Sequence, residues 1–467
     1  MMKSDRSDLR AFFEPASVAV VGSLRDGMGL GFRSIKNMLN FGYTGRVYPV
    51  NPSYDEVLGF EVYSDVSEIP EAADQVIIIT PPPTVPAIVE QAAERGVKAA
   101  VIVSENFGEV GGEGAQLQRQ LVEIRDRTGI RIVGPNTIGL LNTANGYITV
   151  PYFIAYDSLR KGTVTYCSQS GFVGPTAQPL QDRGYPINKM CDVGNKCDVN
   201  ETDLLNCFAD DPSTKVVAMH LEDVKDGRFF LEAARNLVSR KPLLVMKAGR
   251  TEEGARAASS HTSSLAGNEE VYDCAIRQAG AIRVNSWPEL MEIPKVFAYQ
   301  PLPEGNRLAI ITHTGGAGVV ATDIAVEAGL AVARYSDETV AFLKDTQFRL
   351  GGNPVDMGPI LSTSDNPFQV QEEVIARIID DPNVDCAIVA AYGGLEGLLT
   401  LVVEMFSRLK PRISKPFVVW LYGMKLGAMQ EMVVELEAIG LPAYIDIEVA
   451  IKALGAAARY TSIRAGM

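Results

Sequence analysis

Three histidines, His220, His261 and His313, supply all the imidazole in a chain of 467 residues. His261 is flanked by Ser259, Ser260, Thr262, Ser263 and Ser264, small side chains that let a segment approach two different surfaces without clashing. Imidazole attacks a phosphoryl group through one nitrogen when the other donates to a carboxylate, which fixes the tautomer and steadies the developing charge. Glu222, at the end of the apolar run VVAMHLE and followed by Asp223, is the candidate carboxylate. The phosphoryl group also needs backbone amides and a helix N-terminus. Ser168, Gln169, Ser170 and Gly171 after one apolar run, and Thr314, Gly315 and Gly316 after another, offer two such turns. His220 lies inside an apolar run and reads as a core residue, whereas His313 ends one and could line the same phosphate site. Cys167 reads as a buried strand-end thiol rather than a nucleophile.

The segment 249–267, GRTEEGARAASSHTSSLAG, has little apolar periodicity and reads as a long functional loop with His261 at its centre. A second ligand site is expected at the N-terminal end of the chain. The turn from Gly22 and Ser23 to Gly31 is glycine-rich but lacks the strict GxGxxG spacing, and the next strand ends in Asn51 and Pro52, where a dinucleotide enzyme places an acid for the ribose. NAD is therefore disfavoured. Thr80 with Pro81 ends a third strand and Gly134, Pro135, Asn136 a fifth, so a phosphate-bearing ligand other than NAD fits this edge better.

Val- and Ile-rich runs alternate with helical patterns along the whole chain, the rhythm of parallel sheets covered by helices on both faces. Three such cycles are read. The first runs through Val18–Gly22, Val47–Asn51, Gln75–Thr80, Ala99–Ser104 and Arg131–Gly134. The second opens at Thr163–Ser168 and closes with a helix near 288–298; the third opens at Arg307–His313 after the Pro- and Gly-bearing linker 300–306. The expected domains are 1–145, 146–299 and 300–467. TVTYCSQSGFVG and LAIITHTGGAGV are alike, which we ascribe to the common needs of a strand-to-helix turn.

Composition is ordinary for a globular protein, with 46% hydrophobic and 21% charged residues. A net charge of −14 repels nucleic acid and acidic membrane surfaces, so an anionic ligand must be held by local donors. No apolar run approaches the roughly 18 residues of a membrane span. Six cysteines without CxxC spacing suit a reducing compartment and give no metal site; a cytoplasmic protein is expected.

The segments FFEPASVAVVG, YPVNP, GPNTIGLLN, YCSQSGFVG, DVGNKCDVNETDLL, LEDVKDGRFF, KAGRTEEGARAASSHTSSLAGNEEVYDCAIRQAGAIRV, THTGGAGVVATD and GGNPVDMG together resemble the NDP-forming acyl-CoA synthetases. The likeness is to the α subunit of ADP-forming acetate-CoA ligase, a relative of succinyl-CoA synthetase. It implies an α/β chain: a Rossmann-like CoA-binding domain followed by two flavodoxin-like doubly wound domains. It implies further that His261 is phosphorylated with Glu222 as its partner, and that Ser168, Gln169, Ser170, Gly171, Gly315 and Gly316 cradle phosphate. CoA would be bordered by Gly22, Ser23, Asn51, Pro52, Thr80, Pro81 and Asn136. No ATP-grasp domain and no GxxxxGK[ST] loop is present, so the resemblance implies ADP or ATP with Mg on a separate ATP-grasp β subunit in a heterotetramer, acting on a carboxylic acid or its acyl-CoA. The alternative is a CoA- or acyl-CoA-sensing protein without ligase activity.

Departures from the family pattern are Ser263 for a glycine, Ser53 for a lysine, and Glu105 with Asn106 for Ala-Gly. Pro179 is expected to kink the helix after Gly171. The aromatic-rich stretch 145–156 reads as interdomain packing; on the other reading Tyr152 and Phe153 line an acyl pocket.

Overall fold

The structure is a computed structural model and describes residues 8–152, 159–171, 184–262, 268–347, 350–393 and 397–466, with the backbone alone at 258–262. Phe153, Pro175, Pro179, Ser263 and the His261 side chain lie outside the described residues.

Three sheets are built from the expected runs. In the first, β1 (Ser17–Gly22), β2 (Arg46–Val50), β3 (Gln75–Ile79), β4 (Ala99–Ile102) and β5 (Arg131–Val133) are all parallel, in the order β2-β1-β3-β4-β5. The second sheet has the order β12-β11-β10-β8-β9-β6-β7. Its strands are β6 (Leu140–Asn142), β7 (Tyr147–Ile148), β8 (Lys161–Ser168), β9 (Ile187–Asp192), β10 (Val216–Leu221), β11 (Leu243–Lys247) and β12 (Ile282–Arg283). β6 and β7 are antiparallel additions at one edge, so the chain enters the second sheet at Leu140. The third sheet holds β13 (Arg307–Thr312), β14 (Ala331–Val332), β15 (Val355–Asp356), β16 (Cys386–Tyr392), β17 (Phe417–Tyr422) and β18 (Ala443–Tyr444), in the order β14-β13-β16-β17-β18, with β15 also on β13.

In each sheet one inner parallel strand, β1, β8 or β13, has the strand that follows it, β2, β9 or β14, on one side and β3, β10 or β16 on the other. A topological switch point therefore opens beside the carboxyl end of β1, of β8 and of β13, where open α/β sheets bind ligands. The central strands are buried along their length, β1, β10 and β11 at every position, which is why they read as unbroken apolar runs.

The chain forms two compact units. One holds the first and second sheets; the other is 182–185 with 286–467. Residues 193–199 join the first two sheets. Cys197 and Val199 donate their amides to Gly134 and Ile132 at 3.1 and 3.0 Å, and Asp198 accepts from Arg131 and from the Ile132 amide at 2.8 and 2.9 Å. The helices Trp287–Glu292 and Pro294–Tyr299, expected to close the second cycle, fall in the other unit. Lys295 helps to hold them there. Its side chain is 1% exposed and its ammonium reaches Glu292 (2.5 Å), Glu437 (2.7 Å) and the carbonyl of Ala443 (2.7 Å) above the ring of Tyr444. Replacing Lys295 with Met leaves two carboxylates in the interior without their cation, so this unit should lose about 3 to 5 kcal/mol, read by denaturant unfolding.

Candidate functional site

β8 and β10 are neighbours in parallel register, Cys167 opposite Met219, so the Ser168 turn and Glu222 lie at the same carboxyl edge. Within the turn Ser168 Oγ donates to the Ser170 carbonyl (2.6 Å) and accepts the Ser170 amide (3.0 Å). Gly171 presses on Ile138, where a Cβ would stand 2.7 Å from Cγ2, so a larger residue would have to displace that methyl. His220 Nδ1 lies 3.3 Å from Ser168 Oγ and the residue is 2% exposed. Burial, with Lys247 and Lys196 nearby, drops its imidazole to about 3, so it is neutral at physiological pH, the core residue expected.

The side chain of Gln169 turns toward the end of β10. Its Oε1 accepts the amides of Glu222 (2.9 Å) and Asp223 (3.0 Å), and its Nε2 donates to the Asp223 carboxylate. The Asp223 carboxylate also takes the ammonium of Lys196, which reaches the Asp223 carbonyl at 3.0 Å and Glu201 at 3.1 Å. Burial alone would raise the Asp223 carboxyl, but Lys196 and the Gln169 bond hold it below its ordinary value. Sequence reasoning missed Lys196. It is 4% exposed with φ of 54°, a buried lysine in the left-handed region, and the only sign of it was its place in the DVGNKCDVNETDLL segment.

Asp192, at the end of β9, accepts the amides of Ile138 (2.9 Å) and Gly194 (3.2 Å). Burial pushes its carboxyl up to about 6, with the charge of Glu222 adding to the rise.

The segment expected as a loop is in part a helix: Glu252–Thr262 is α-helical and places His261 in its last turn. The misreading came from composition. Serines and a central glycine masked a start in which Thr251 Oγ1 takes the Gly254 amide at 3.0 Å and two acids occupy the first turn, followed by good helix formers. This helix follows β11, the neighbour of β10 in the same sheet.

The first sheet carries a separate cleft of about 620 Å³ at its switch point, lined among others by Gly22, Ser23, Asn51, Pro52, Thr80 and Pro81. Six of the seven expected ligand-border residues thus meet; Asn136 is not among those lining it. Asn51 Nδ2 donates to the Gly22 carbonyl at 2.8 Å and its Oδ1 accepts the Ser53 amide at 2.9 Å, so it braces the two strand ends rather than standing in for a ribose-binding acid. Gly29 is required by close approach: a Cβ there would lie 2.3 Å from the Ser23 carbonyl oxygen. The main chain at 149–152 docks on the helix Leu30–Phe41 through Ser34, Asn37 and Arg33, the packing role expected of that stretch. Burial, with Glu105 beside it, raises the Tyr152 phenol.

In the other unit Thr314 Oγ1 caps the helix Gly315–Glu327 by accepting the Ala317 amide at 3.2 Å. Gly315 and Gly316 are exposed, with Asp356 close to Gly315. His313 Nε2 faces Gln371 Oε1 at 3.4 Å. Among the described residues no cluster of His, Cys, Asp and Glu could hold a metal ion, and no helix is long and apolar enough to cross a membrane.

Residues 16–143 match the family model described as a CoA binding domain, and 161–297 the succinyl-CoA ligase like flavodoxin domain. The chain is 35% identical to acetate-CoA ligase [ADP-forming] II of Archaeoglobus fulgidus over 98% of its length and 68% of that protein. It is also 35% identical to acetate-CoA ligase [ADP-forming] I subunit alpha of Pyrococcus furiosus, over 98% of each. A solved dinucleotide-forming acetyl-coenzyme A synthetase 1 from Ca. Korarchaeum cryptofilum, in complex with phosphate and ADP, superposes with a TM-score of 0.87 at 31% identity over 98% of each chain.

The raised Asp192 carboxyl gives a stability test. Between its ordinary 3.8 and about 6 the folded chain keeps a proton that the unfolded chain has lost, so stability falls as pH rises through that window. Asp192→Asn should flatten this fall, read as the pH dependence of the denaturation midpoint of the unit that holds it.

Proposed function

The chain belongs to the ADP-forming acetate-CoA ligase family, and from that membership we propose that it is the α subunit of an acid-CoA ligase working through a phosphohistidine at His261. A phosphate oxygen attacks the thioester carbonyl of an acyl-CoA, the thiolate leaves and is protonated to CoA, and acyl phosphate remains. A ring nitrogen of His261 then attacks the phosphorus and the carboxylate departs. The terminal oxygen of a nucleoside diphosphate, ADP on this reading, takes the phosphoryl group and frees the histidine. Every step is reversible.

The observation that carries this reading is the joining of the Ser168 turn and the Glu222 edge at one switch point, in the sheet whose next strand leads into the His261 helix. Glu222 would hold one imidazole nitrogen so that the other faces phosphorus. The Ser168 hydroxyl and the Ser170 amide are engaged with each other within the turn, so the amides of Gln169 and Gly171 would meet the phosphoryl oxygens. Gly315 and Gly316 would serve a second phosphoryl position at the third sheet. CoA would occupy the cleft at Gly22, Asn51 and Thr80, a space whose glycine and proline edges let a pyrophosphate lie close to the main chain. A sensing protein would need that cleft alone.

The nucleotide, with its Mg, is assigned to an ATP-grasp β subunit in a heterotetramer, since relatives of similar length are named as alpha subunits. Six free cysteines, three of them buried, suit a cytoplasmic setting. Tested with acetyl phosphate, the wild-type chain should acquire acid-labile phosphate and His261→Asn none. Glu222→Gln should slow its formation roughly 10²- to 10⁴-fold. ATP should appear from ADP only when the β subunit is added; labelling unchanged in His261→Asn would refute the assignment.

A further inference from the structure

Gln169 sits in the turn expected to cradle phosphate, yet its side chain is spent on the neighbouring strand. The carboxamide orientation is fixed by its partners. Two N–H groups, of Glu222 and Asp223, point at Oε1 at 2.9 and 3.0 Å, and the Asp223 carboxylate faces Nε2, so a flipped amide would set donor against donor and acceptor against acceptor. The amides it takes belong to the catalytic carboxylate's own residue and the one after it. Asp223 is in turn fixed from the far side by Lys196, which is tied to Glu201, itself 1% exposed.

We propose that Gln169 is a positioning residue that couples the Ser168–Gly171 turn to Glu222, and that Asp223, Lys196 and Glu201 anchor it, so that phosphate and the carboxylate partner of His261 keep one fixed separation. This deepens the phosphohistidine reading and rests on it. Two consequences follow from the chemistry. The amides of Glu222 and Asp223 are used up and give nothing to a phosphoryl group, so binding falls to the turn alone. Any shift of the turn carries Glu222 with it, because the link is three hydrogen bonds from one planar group. Near-attack geometry is sensitive at this scale, since a displacement of about 1 Å can cost on the order of 10²-fold in rate.

The test is an exchange of charge across the clamp, with phosphorylation of His261 by acetyl phosphate as the readout in the full chain. Gln169→Glu sets two carboxylates against each other and should lower kcat roughly 100-fold while KM for acetyl phosphate changes less than about threefold. Asp223→Asn alone puts two carboxamides together and loses the anchor's charge, with a smaller fall expected. The double variant Gln169→Glu, Asp223→Asn places a carboxylate at 169 and a carboxamide at 223, leaves Lys196 its bonds to Glu201 and the residue 223 carbonyl, and should recover kcat to within about fivefold. Gln169→Met, of similar length and uncharged, should match the loss in Gln169→Glu, with thermal unfolding followed for each protein.

Either of two results would overturn the proposal. One is a raised KM with kcat kept, which would make the Gln169 side chain a phosphate ligand. The other is a double variant as thermally stable as wild type but no faster than Gln169→Glu, which would make the clamp structural only. Absence of phosphohistidine in the wild-type chain would instead refute the function on which the proposal rests.

Discussion

A phosphoryl anion has to be held by a chain carrying fourteen surplus negative charges, and the rest of the site follows from that constraint. Screening limits the reach of distant charges to about 8 Å at physiological ionic strength, so groups in contact decide the local sign. At the edge of β10 two carboxylates stand side by side in sequence. Lys196, buried and bonded to Asp223, compensates one of them, and the same ammonium compensates Glu201 behind it. Asp192 answers differently: burial keeps its proton to about 6, so it adds little negative charge until the pH passes that value. Neutral His220 adds no charge of either sign. The edge is thereby made tolerable for an anion without a basic patch.

Much of this arrangement was legible in the sequence, for a definite reason. Strands buried on both faces have to be unbroken apolar runs, and the residue that ends each run marks the carboxyl edge where ligands bind. Gly22, Thr80, Ser168, Glu222 and Thr314 were all found by that route, and the fold places each at or just beyond a strand end. The 249–267 segment was not legible in the same way. Its helix lacks a regular apolar stripe, and the serines and glycine among its residues hide the helix preference of its alanines. The grouping of the helices at 287–299 was also hidden, because it depends on contacts distant in sequence, among them Lys295 with Glu437 and Lys452 with Glu289.

What the sequence could not convey at all is the direction of side chains within a recognised motif. Gln169 stood in the right turn and was given to phosphate; its carboxamide faces β10 instead. Asn51 stood where a ribose-binding acid was sought, and its side chain is absorbed by the Gly22 carbonyl and the Ser53 amide. In both cases a polar side chain answers main-chain groups at the end of a strand, where ladder bonds run out and unpaired N–H and C=O groups need partners. A motif fixes where the residue sits. The unmet hydrogen bonds around it fix what the side chain does.

The departures at Glu105 and Asn106 can be judged by the same standard. Four non-glycine residues among those described have positive φ, and three of them, Asn106 (69°), Asn136 (59°) and Lys196 (54°), belong to one seam between the first and second sheets. The Asn106 amide is taken by Glu109 at 2.6 Å, Glu109 also accepts from Asn195 at 2.5 Å, and Asn195 meets Asn136 at 3.4 Å. Asparagine is the side chain that best tolerates the left-handed region after glycine, so Asn106 keeps the backbone that a glycine would give there. Its neighbour is the consequential change. Glu105 brings a carboxylate beside the Tyr152 phenol, and Tyr152 is tied through its carbonyl to Arg33 on the helix that follows the Gly22 turn. The seam therefore holds its left-handed backbone positions through Asn106, Asn136 and Lys196, while the Glu105 carboxylate adds a polar contact to Tyr152, whose carbonyl is bonded to the helix Leu30–Phe41.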